Sequence, residues 1–522
     1  MKKHSLFETK QEKQTLKIQF LNARKNDEET TSTPPKVVIL ALGSGCMNLI
    51  FQSDFFRFAS FTQGVILFCL GYRKIHARSQ RFWFLSCLLA PRKGSLISYN
   101  EAMKRVDRNI LAIDLKSFYA SVECLDRDMD PFTTPLVVAD EARGDGTIVL
   151  AASPFVKAKY GVKSRCRLYE VPKDIPGLII ARPNMRRYLE ISAEINGIYL
   201  EYVSEDDLFV YSIDESFLDV TQYLKRHQDT PETYARKIIN EIRDRTGLTV
   251  TAGIGLNMFM AKAAMDIEAK HRSGFLASWT YESIPEHLWN LKPLSKMWGI
   301  GARMEKKLNA LGFSQVGDIA VSDPAYLKKK LGVIGEEIYY HSLGYDDALL
   351  QDRYVATSHS VSSGQVLLRD YYASEMPILI SDMAIELSDR LYEEKSLSNT
   401  FYCYLQFKDH EEGYGMKASL FTPTDSAEKI ARAFLEKYQD IRHHPGERYR
   451  GIYLTALDVS PRDCYQGSLF EDYDADWKIR TLETTLIHIR KKFGAVKAMP
   501  GSALSLSSTF LQRANQIGGH HA

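Results

Sequence analysis

The chain has few cysteines, no long apolar run and almost no net charge, and each shortage excludes a class of protein. Seven cysteines are scattered over 522 residues, with no Cys-x-x-Cys pair and no histidine at zinc spacing. Neither a disulfide framework nor a structural zinc is expected, and the chain reads as one suited to a reducing cytoplasm. The longest apolar stretches, residues 61–70 and 82–90, fall short of the roughly 18 to 20 residues that a helix needs to cross a bilayer. They also begin too far along the chain for a signal peptide. What is present is ordinary for a globular protein: 45% apolar and 25% charged residues, which excludes wholesale disorder and collagen-like repeats. A length of 522 residues predicts about three or four domains.

The net charge of +2 hides an uneven distribution. Residues 1–97 carry 15 Lys and Arg against 6 Asp and Glu, which leaves residues 98–522 with 52 against 59. A nucleic acid would therefore be held by local basic surfaces, because phosphates respond to charges within about a Debye length. One such surface is visible in residues 292–330, with eight Lys and Arg against three Asp and Glu. The first hundred residues pass from a polar, charged stretch to an aperiodic apolar one, with Pro34-Pro35 between them. One reading is a membrane-associating or partner-binding arm. The favoured one is an N-terminal extension over residues 1–105 that is unfolded or not natively translated, with translation starting near Met103.

From Asn109 the character changes. The run Ile110-Leu-Ala-Ile-Asp114 reads as a buried strand delivering a carboxylate at its C-terminal end. A second cluster, Leu208-Phe-Val-Tyr-Ser-Ile-Asp214-Glu215-Ser-Phe-Leu-Asp219, sets an Asp-Glu pair between two strand-like runs. Adjacent strand residues face opposite ways, so both carboxylates serve one site only if the chain turns there; a hairpin with the pair at its tip does so. Three neighbouring carboxylates repel unless cations neutralise them, and oxygen-only ligation suits Mg²⁺. Two such ions are what nucleotidyl transfer requires. A lone Asp at a strand end, by contrast, more often caps a helix.

The stretch Asp114-Leu-Lys-Ser-Phe-Tyr-Ala-Ser-Val-Glu123, followed 100 residues later by Ser212-Ile-Asp-Glu-Ser-Phe-Leu-Asp219, resembles the Y-family lesion-bypass DNA polymerases. Within them it is most similar to the bacterial catalytic subunits of DNA polymerase V and related Gram-positive and plasmid proteins, from about Arg108 to His520. The resemblance implies two Mg²⁺ ions held by Asp114, Asp214, Glu215 and the Leu115 carbonyl, with Glu215 beside the primer 3′-OH. It sets Tyr119 at a steric gate against ribonucleotides, with Phe118 packed beside it. A ring against C2′ penalises an extra hydroxyl by clash and by desolvating it without a partner. In the segment from Gly144 to Arg165, similar to the family's small fingers, Ser153 and Lys157 are expected to contact the incoming triphosphate. Ala158 stands where many members carry Arg or Lys. Lys270 is expected at the β- and γ-phosphates; Lys262, Asp266 and Lys270 share a helical spacing that would equally give a salt-bridged face.

Residues 294–312 read as a helix, a Gly299-Ile-Gly301 hairpin and a second helix bearing Arg303. Glycines there let the backbone approach a phosphate, and the helix start offers free N–H groups. Such a helix-hairpin-helix grips duplex DNA without reading bases. Beyond it, strand-like segments alternate with amphipathic stretches at 376–394 and 426–438, similar to the family's little finger. The peptide Gln466-Gly-Ser-Leu469-Phe470 resembles the one with which bacterial polymerases dock on the sliding clamp, an amide and two large apolar side chains for a groove.

The expected fold is α+β, a right-hand polymerase with palm and fingers over residues 106–291 and a helix-hairpin-helix thumb over 292–355. A little finger over 356–465 and a clamp-binding peptide with C-terminal tail over 466–522 complete it. The resemblance implies template-directed synthesis from dNTPs on primer–template DNA across damage, as part of the SOS response, in the cytoplasm and at the nucleoid. It implies no membrane partner and no proofreading, and leaves open an accessory activating protein. Two alternatives are a non-catalytic DNA- and clamp-bound scaffold at stalled forks, against which the intact Asp114, Asp214 and Glu215 argue, and a cyclic-dinucleotide synthase, against which the thumb and clamp peptide argue.

Overall fold

The computed structural model describes residues 37–42, 45–52, 55–56, 107–352, 359–408, 412–444, 446–463 and 473–521. The chain divides into two units, Met1–Ile97 and Ser98–Ala522. In the first, strands Val37–Leu42 and Gly45–Gln52 pair antiparallel, and Gly45–Gln52 pairs in turn with Phe55–Phe56. These strands are rich in the apolar and β-branched residues that strands favour. The apolar stretches at 61–70 and 82–90 lie outside the described residues.

The second unit is built on a five-stranded sheet in the order Leu276–Ser278, Val250–Gly255, Ile110–Leu115, Glu215–Asp219, Leu208–Val210. The strand Ile110–Leu115 is central and antiparallel to both neighbours. Its two faces alternate as strand geometry demands. Leu111, Ile113 and Leu115 pack with helices Met185–Tyr202 and Pro231–Thr246 through Tyr188, Ile195, Ile238 and Ile242. Ile110 and Ala112, with Phe217, pack on the other side against Met258, Ala261 and Met265. Asp114 shares that second face by parity, and the register sets it directly opposite Glu215.

Helix Met258–Ala263 follows the strand Val250–Gly255 and lies on it without clearance. A methyl group on Gly253 would stand 2.1 Å from the Ala261 carbonyl oxygen, and one on Gly255 2.3 Å from the Ala261 nitrogen. The Gly-x-Gly therefore serves close strand–helix packing. The helix does not continue regularly: a π turn spans Ala264–Glu268 and a 3₁₀ turn Ala269–His271.

A three-stranded sheet, Ala151–Ala152, Leu136–Val138 and Ile179–Ala181, carries helix Pro154–Tyr160 over a small apolar core. Helices Ala302–Ala310, Val316–Ala320, Pro324–Leu331 and Val333–Ser342 gather around Leu308, Ile319, Leu327 and Ile338. The first helix expected at 294–298 is only a 3₁₀ turn, Leu294–Lys296, because Pro293 before it and Gly299 after it leave room for one turn. An antiparallel sheet follows, ordered Val361–Tyr372, Arg448–Leu457, Ser396–Phe407, Gly413–Thr424, and its core packs with helices Met376–Glu393 and Ala427–Gln439. Helix Tyr473–Phe493 then leads to a C-terminal segment that ends in the paired strands Gln516–Ile517 and His520–His521. Among the described residues no helix is long and apolar enough to cross a membrane.

The contact of Gly253 with the helix backbone gives a direct test. Gly253→Ala is expected to destabilise the protein by at least about 2 kcal/mol, since backbone cannot yield as a side chain can. Urea denaturation of the variant beside wild type reads this.

Candidate active site

Strand register and a tight turn bring the carboxylates together. Glu215 opens the strand that pairs with Ile110–Leu115 and faces Asp114 across it. The turn before it is closed by the N–H groups of Tyr211 and Ser212, which both donate to the Glu215 carbonyl, at 3.0 and 2.9 Å. Asp214 occupies this turn: its carbonyl accepts from the Leu115 N–H at 2.9 Å, and its carboxylate accepts from Ser212 Oγ at 2.7 Å. Asp114, Leu115, Asp214 and Glu215 are thus neighbours.

Lysines balance this charge. Lys262 Nζ lies 2.6 and 2.8 Å from the two oxygens of Glu215 and 3.0 Å from Asp266. Lys270 Nζ lies 3.2 Å from Asp114 and 2.8 Å from Asp266. Lys262 and Glu215 are both buried. Burial raises the pKa of Glu215 against the opposing pull of Lys262. It raises that of Asp114 too, helped by the charge of Asp214 and opposed by Lys270. Burial alone would lower the pKa of Lys270, but Asp114 and Asp266 outweigh it and the net shift is upward. The salt-bridged face anticipated from the spacing of Lys262, Asp266 and Lys270 is formed, through a π turn that still brings these residues within reach of one another.

Two further lysines complete the ring. Lys157 Nζ donates to Ser117 Oγ at 2.9 Å, whereas Lys159 lies over the rings of Phe155 and Tyr160. Lys116 Nζ lies 4.4 Å from the centre of the Phe275 ring and 3.5 Å from the Lys270 carbonyl. Burial lowers the pKa of both Lys116 and Lys157, and the charge of Asp114 partly restores it. Ser117 takes a left-handed conformation, φ 51°, uncommon for a residue with a side chain. That turn swings the chain from the Asp114 strand into helix Phe118–Leu125.

Tyr119 sits on the first turn of this helix. Its ring stacks on Tyr188 at 4.3 Å and 13°, with Phe118 tilted alongside at 5.4 Å. Tyr188 is fixed by donating its hydroxyl to Glu123 Oε1 at 2.7 Å. Burial and the nearby negative charge of Asp214 raise the pKa of Tyr119.

Other expected residues fall elsewhere. Ser153, expected at the triphosphate, has no exposed surface: its hydroxyl donates to the Thr134 carbonyl and caps helix Pro154–Tyr160 through Val156 N–H. It is a helix cap because Pro154 opens a helix and the N-terminal N–H groups need an acceptor. Gly299 (φ 91°) and Gly301 precede helix Ala302–Ala310 with open space around them, and Arg303 is exposed on its first turn. Gln466, Leu469 and Phe470 lie outside the described residues. Sequence reasoning missed Lys116, Ser117 and Tyr188. Lys116 was signalled by alternation from Asp114; Ser117 and Tyr188 carried no comparable mark.

Among the described residues no three His, Cys, Asp or Glu side chains are gathered closely enough to hold a metal. The donor set nonetheless fits a hard cation, being all oxygen. Glu215 Oε1 is buried and lacks a well-directed hydrogen-bond donor. Ammonium groups stand on Glu215 and Asp114, the places where a divalent ion would put its charge.

Comparison with known proteins adds a second line of evidence. Residues 113–266 match the impB/mucB/samB family, residues 281–313 its HHH motif, and residues 358–469 its C-terminal domain. The chain is 34% identical to UvrX of Bacillus subtilis (strain 168), described as a UV-damage repair protein, over 81% of this chain and 100% of that one. It is 30% identical to DNA polymerase IV 2 of the same organism, over 80% and 99%. Its fold is similar to that of a Y-family DNA polymerase chimera of Dbh and Dpo4, with a TM-score of 0.55 at 18% identity, covering 68% of this chain and 99% of that one.

The buried Lys262–Glu215 pair yields a measurable expectation. Lys262→Met should cost about 3 to 5 kcal/mol, because it strands a buried carboxylate. Denaturant titration of the metal-free variant reads the loss.

Proposed function

The chain belongs to the impB/mucB/samB family, the Y-family DNA polymerases, and from that premise we propose how its residues carry out synthesis across damaged template. It is a DNA-directed DNA polymerase of damage bypass. The observation that carries the assignment of roles is the cross-strand pair Asp114–Glu215 with Asp214 in the adjoining turn.

In this reading Asp114, Asp214, Glu215 and the Leu115 carbonyl hold two magnesium ions. When bound, these ions lower the pKa of the primer 3′-OH and neutralise charge on the phosphates it attacks. The reaction is attack of that hydroxyl on the α-phosphate of a dNTP with release of pyrophosphate. Glu215, buried beside Lys262, lies toward the primer terminus. Lys270 and Lys157 meet the triphosphate, and both are already within the electrostatic field of Asp114. Tyr119, held by stacking on Tyr188, presents its ring to the sugar and excludes the 2′-hydroxyl.

The duplex is gripped at Gly299, Gly301 and Arg303, where exposed backbone and a positive side chain face solvent. Gln466, Leu469 and Phe470 dock on the sliding clamp. The protein then acts in the bacterial cytoplasm, at the nucleoid, during the SOS response.

Three measurements test this. Primer extension with Mg²⁺ on undamaged and abasic templates should fall on the order of 10³-fold or more in the Asp214→Ala, Glu215→Ala double variant. Equal extension by both proteins would remove these carboxylates from the chemistry, and extension by neither would favour the scaffold reading. Tyr119→Ala should lower discrimination against ribonucleotides by about 10- to 100-fold in kcat/KM while leaving dNTP insertion measurable. Leu469→Ala with Phe470→Ala should abolish stimulation by the clamp and spare clamp-free extension.

A further inference from the structure

Helix Tyr473–Phe493 is docked by its charged side. Arg490 pairs with Asp389 at 2.9 Å, Lys491 with Glu393 at 3.3 Å and Asp476 with Lys429 at 2.6 Å. Glu483 accepts from Ser426 Oγ at 3.1 Å and from the Glu428 N–H at 3.0 Å, at the start of helix Ala427–Gln439. Among the described residues of the helix, Ile487 is the one fully buried apolar side chain. Helices Met376–Glu393 and Ala427–Gln439 turn their own apolar sides to the sheet, which leaves Tyr473–Phe493 as a further layer outside them.

The other apolar residues of this helix lie off the docked side. Ile479, Leu482, Leu486, Ile489 and Phe493 recur at spacings of three and four, the heptad seam with which one helix packs on another. At 3.6 residues per turn the seam runs about 100° round the helix from the docked side. Leu482 and Phe493 are each 59% exposed, and the other three are half-buried. A contiguous apolar patch on a folded surface marks an interaction site, whereas scattered apolar residues do not. Beside the seam lies a cavity of about 280 Å³, bounded by Leu486, Met499, Ile385, Ala427 and Ala431. Such a pocket takes a large apolar anchor, and seam and cavity together form a groove of the kind that receives an amphipathic helix. The groove is fixed beforehand. Beyond Met499, Ser508 Oγ and the Thr509 N–H donate to Asp382 at 2.7 and 3.0 Å, Ser507 Oγ donates to Glu375 at 2.9 Å, and Arg513 pairs with Glu386 at 2.7 Å.

Charge selects the occupant. On its solvent side the seam is bordered by Lys478, Thr485 and Lys492, the positions whose charges choose a partner in helix pairs. Neither lysine has an ion-pair partner among the described residues, and Lys492 Nζ lies 5.4 Å from the centre of the Phe493 ring. On the other flank Glu483 and Arg490 are engaged with the domain. A second copy packed antiparallel would bring Lys478 of one copy beside Lys492 of the other, a like-charge contact that opposes pairing. A helix with acidic residues along its edge meets both lysines with opposite charge.

We propose that this groove docks an amphipathic, acidic-edged helix of another protein. The apolar face of that helix seats along Leu482, Leu486, Ile489 and Phe493 with one anchor in the cavity, and its acidic edge meets Lys478 and Lys492. The proposal is independent of the roles assigned to Asp114, Asp214 and Glu215.

Two synthetic peptides of about three heptads serve as probes, both with Leu at the seam positions, one with Glu and the other with Lys at the flanking positions. Fluorescence anisotropy with the full chain is expected to show the Glu peptide bound tenfold or more tighter, a preference that shrinks as salt rises. Leu482→Asp with Phe493→Asp should weaken the Glu peptide tenfold or more. Lys478→Glu with Lys492→Glu should transfer the preference to the Lys peptide. All four positions are exposed, and thermal melting beside wild type checks that the variants fold; the lysine pair decides the question even where the apolar substitutions disturb the helix. Equal binding of the two peptides, binding of neither, or a preference that the lysine variant leaves unchanged would overturn the proposal. So would sedimentation of the full chain alone as a dimer that Leu482→Asp dissolves, since the groove would then belong to a second copy.

Discussion

Asp114 and Glu215 face each other across two antiparallel strands, and the site depends on how that opposition is relieved. Like charges directly opposite on a sheet destabilise it, and here little water screens them because one carboxylate is buried and the other nearly so. Lys262 and Lys270 answer with one ammonium on each, and Asp266 holds both lysines by bonding to each of them. Lys116 and Lys157 add positive charge at the rim. Replacing buried ion pairs with apolar residues is often neutral or stabilising, so stability alone does not account for four carboxylates and four lysines around one end of the central strands. The function proposed above would account for them, since it would bring anions to the lysines and cations to the carboxylates.

The same principle of local charge operates elsewhere in the molecule. Residues 98–522 are acidic in sum, with 52 basic against 59 acidic side chains, yet basic groups are concentrated where a phosphate backbone could be met. They stand on the helix after Gly301 and on helix Pro324–Leu331 with Lys328, Lys329 and Lys330. An acidic remainder repels nucleic acid from other faces, which gives orientation as well as attraction.

How much of this was legible in the sequence depended on how local the cause was. The buried strand carrying Asp114 and the hairpin carrying Asp214 and Glu215 could be read because a short apolar run and the position of charge within it report directly on a buried strand. The amphipathic stretches at 376–394 and 426–438 correspond to helices Met376–Glu393 and Ala427–Gln439 because their apolar residues recur at the helical period. What escaped had tertiary causes. The left-handed turn at Ser117 is imposed by a strand and a helix that must meet; the π turn at Ala264–Glu268 by a helix pressed on a strand. Ser153, expected at the triphosphate, is buried as the cap of the helix that Pro154 opens. The docking of the C-terminal segment rests on five pairings with residues more than a hundred positions away, a distance at which no local pattern speaks.

Gly253 and Gly255 leave helix Met258–Ala263 resting on bare strand backbone. With no side chain between them to compress or rotate, strand and helix behave as one rigid plate, and Asp114, Glu215 and the Cα of Lys262 keep their separations when substrates come and go. What can move beside Glu215 is the four-carbon arm of Lys262. Its clock is that of a side chain changing rotamer, faster by orders of magnitude than any movement of the domains around it.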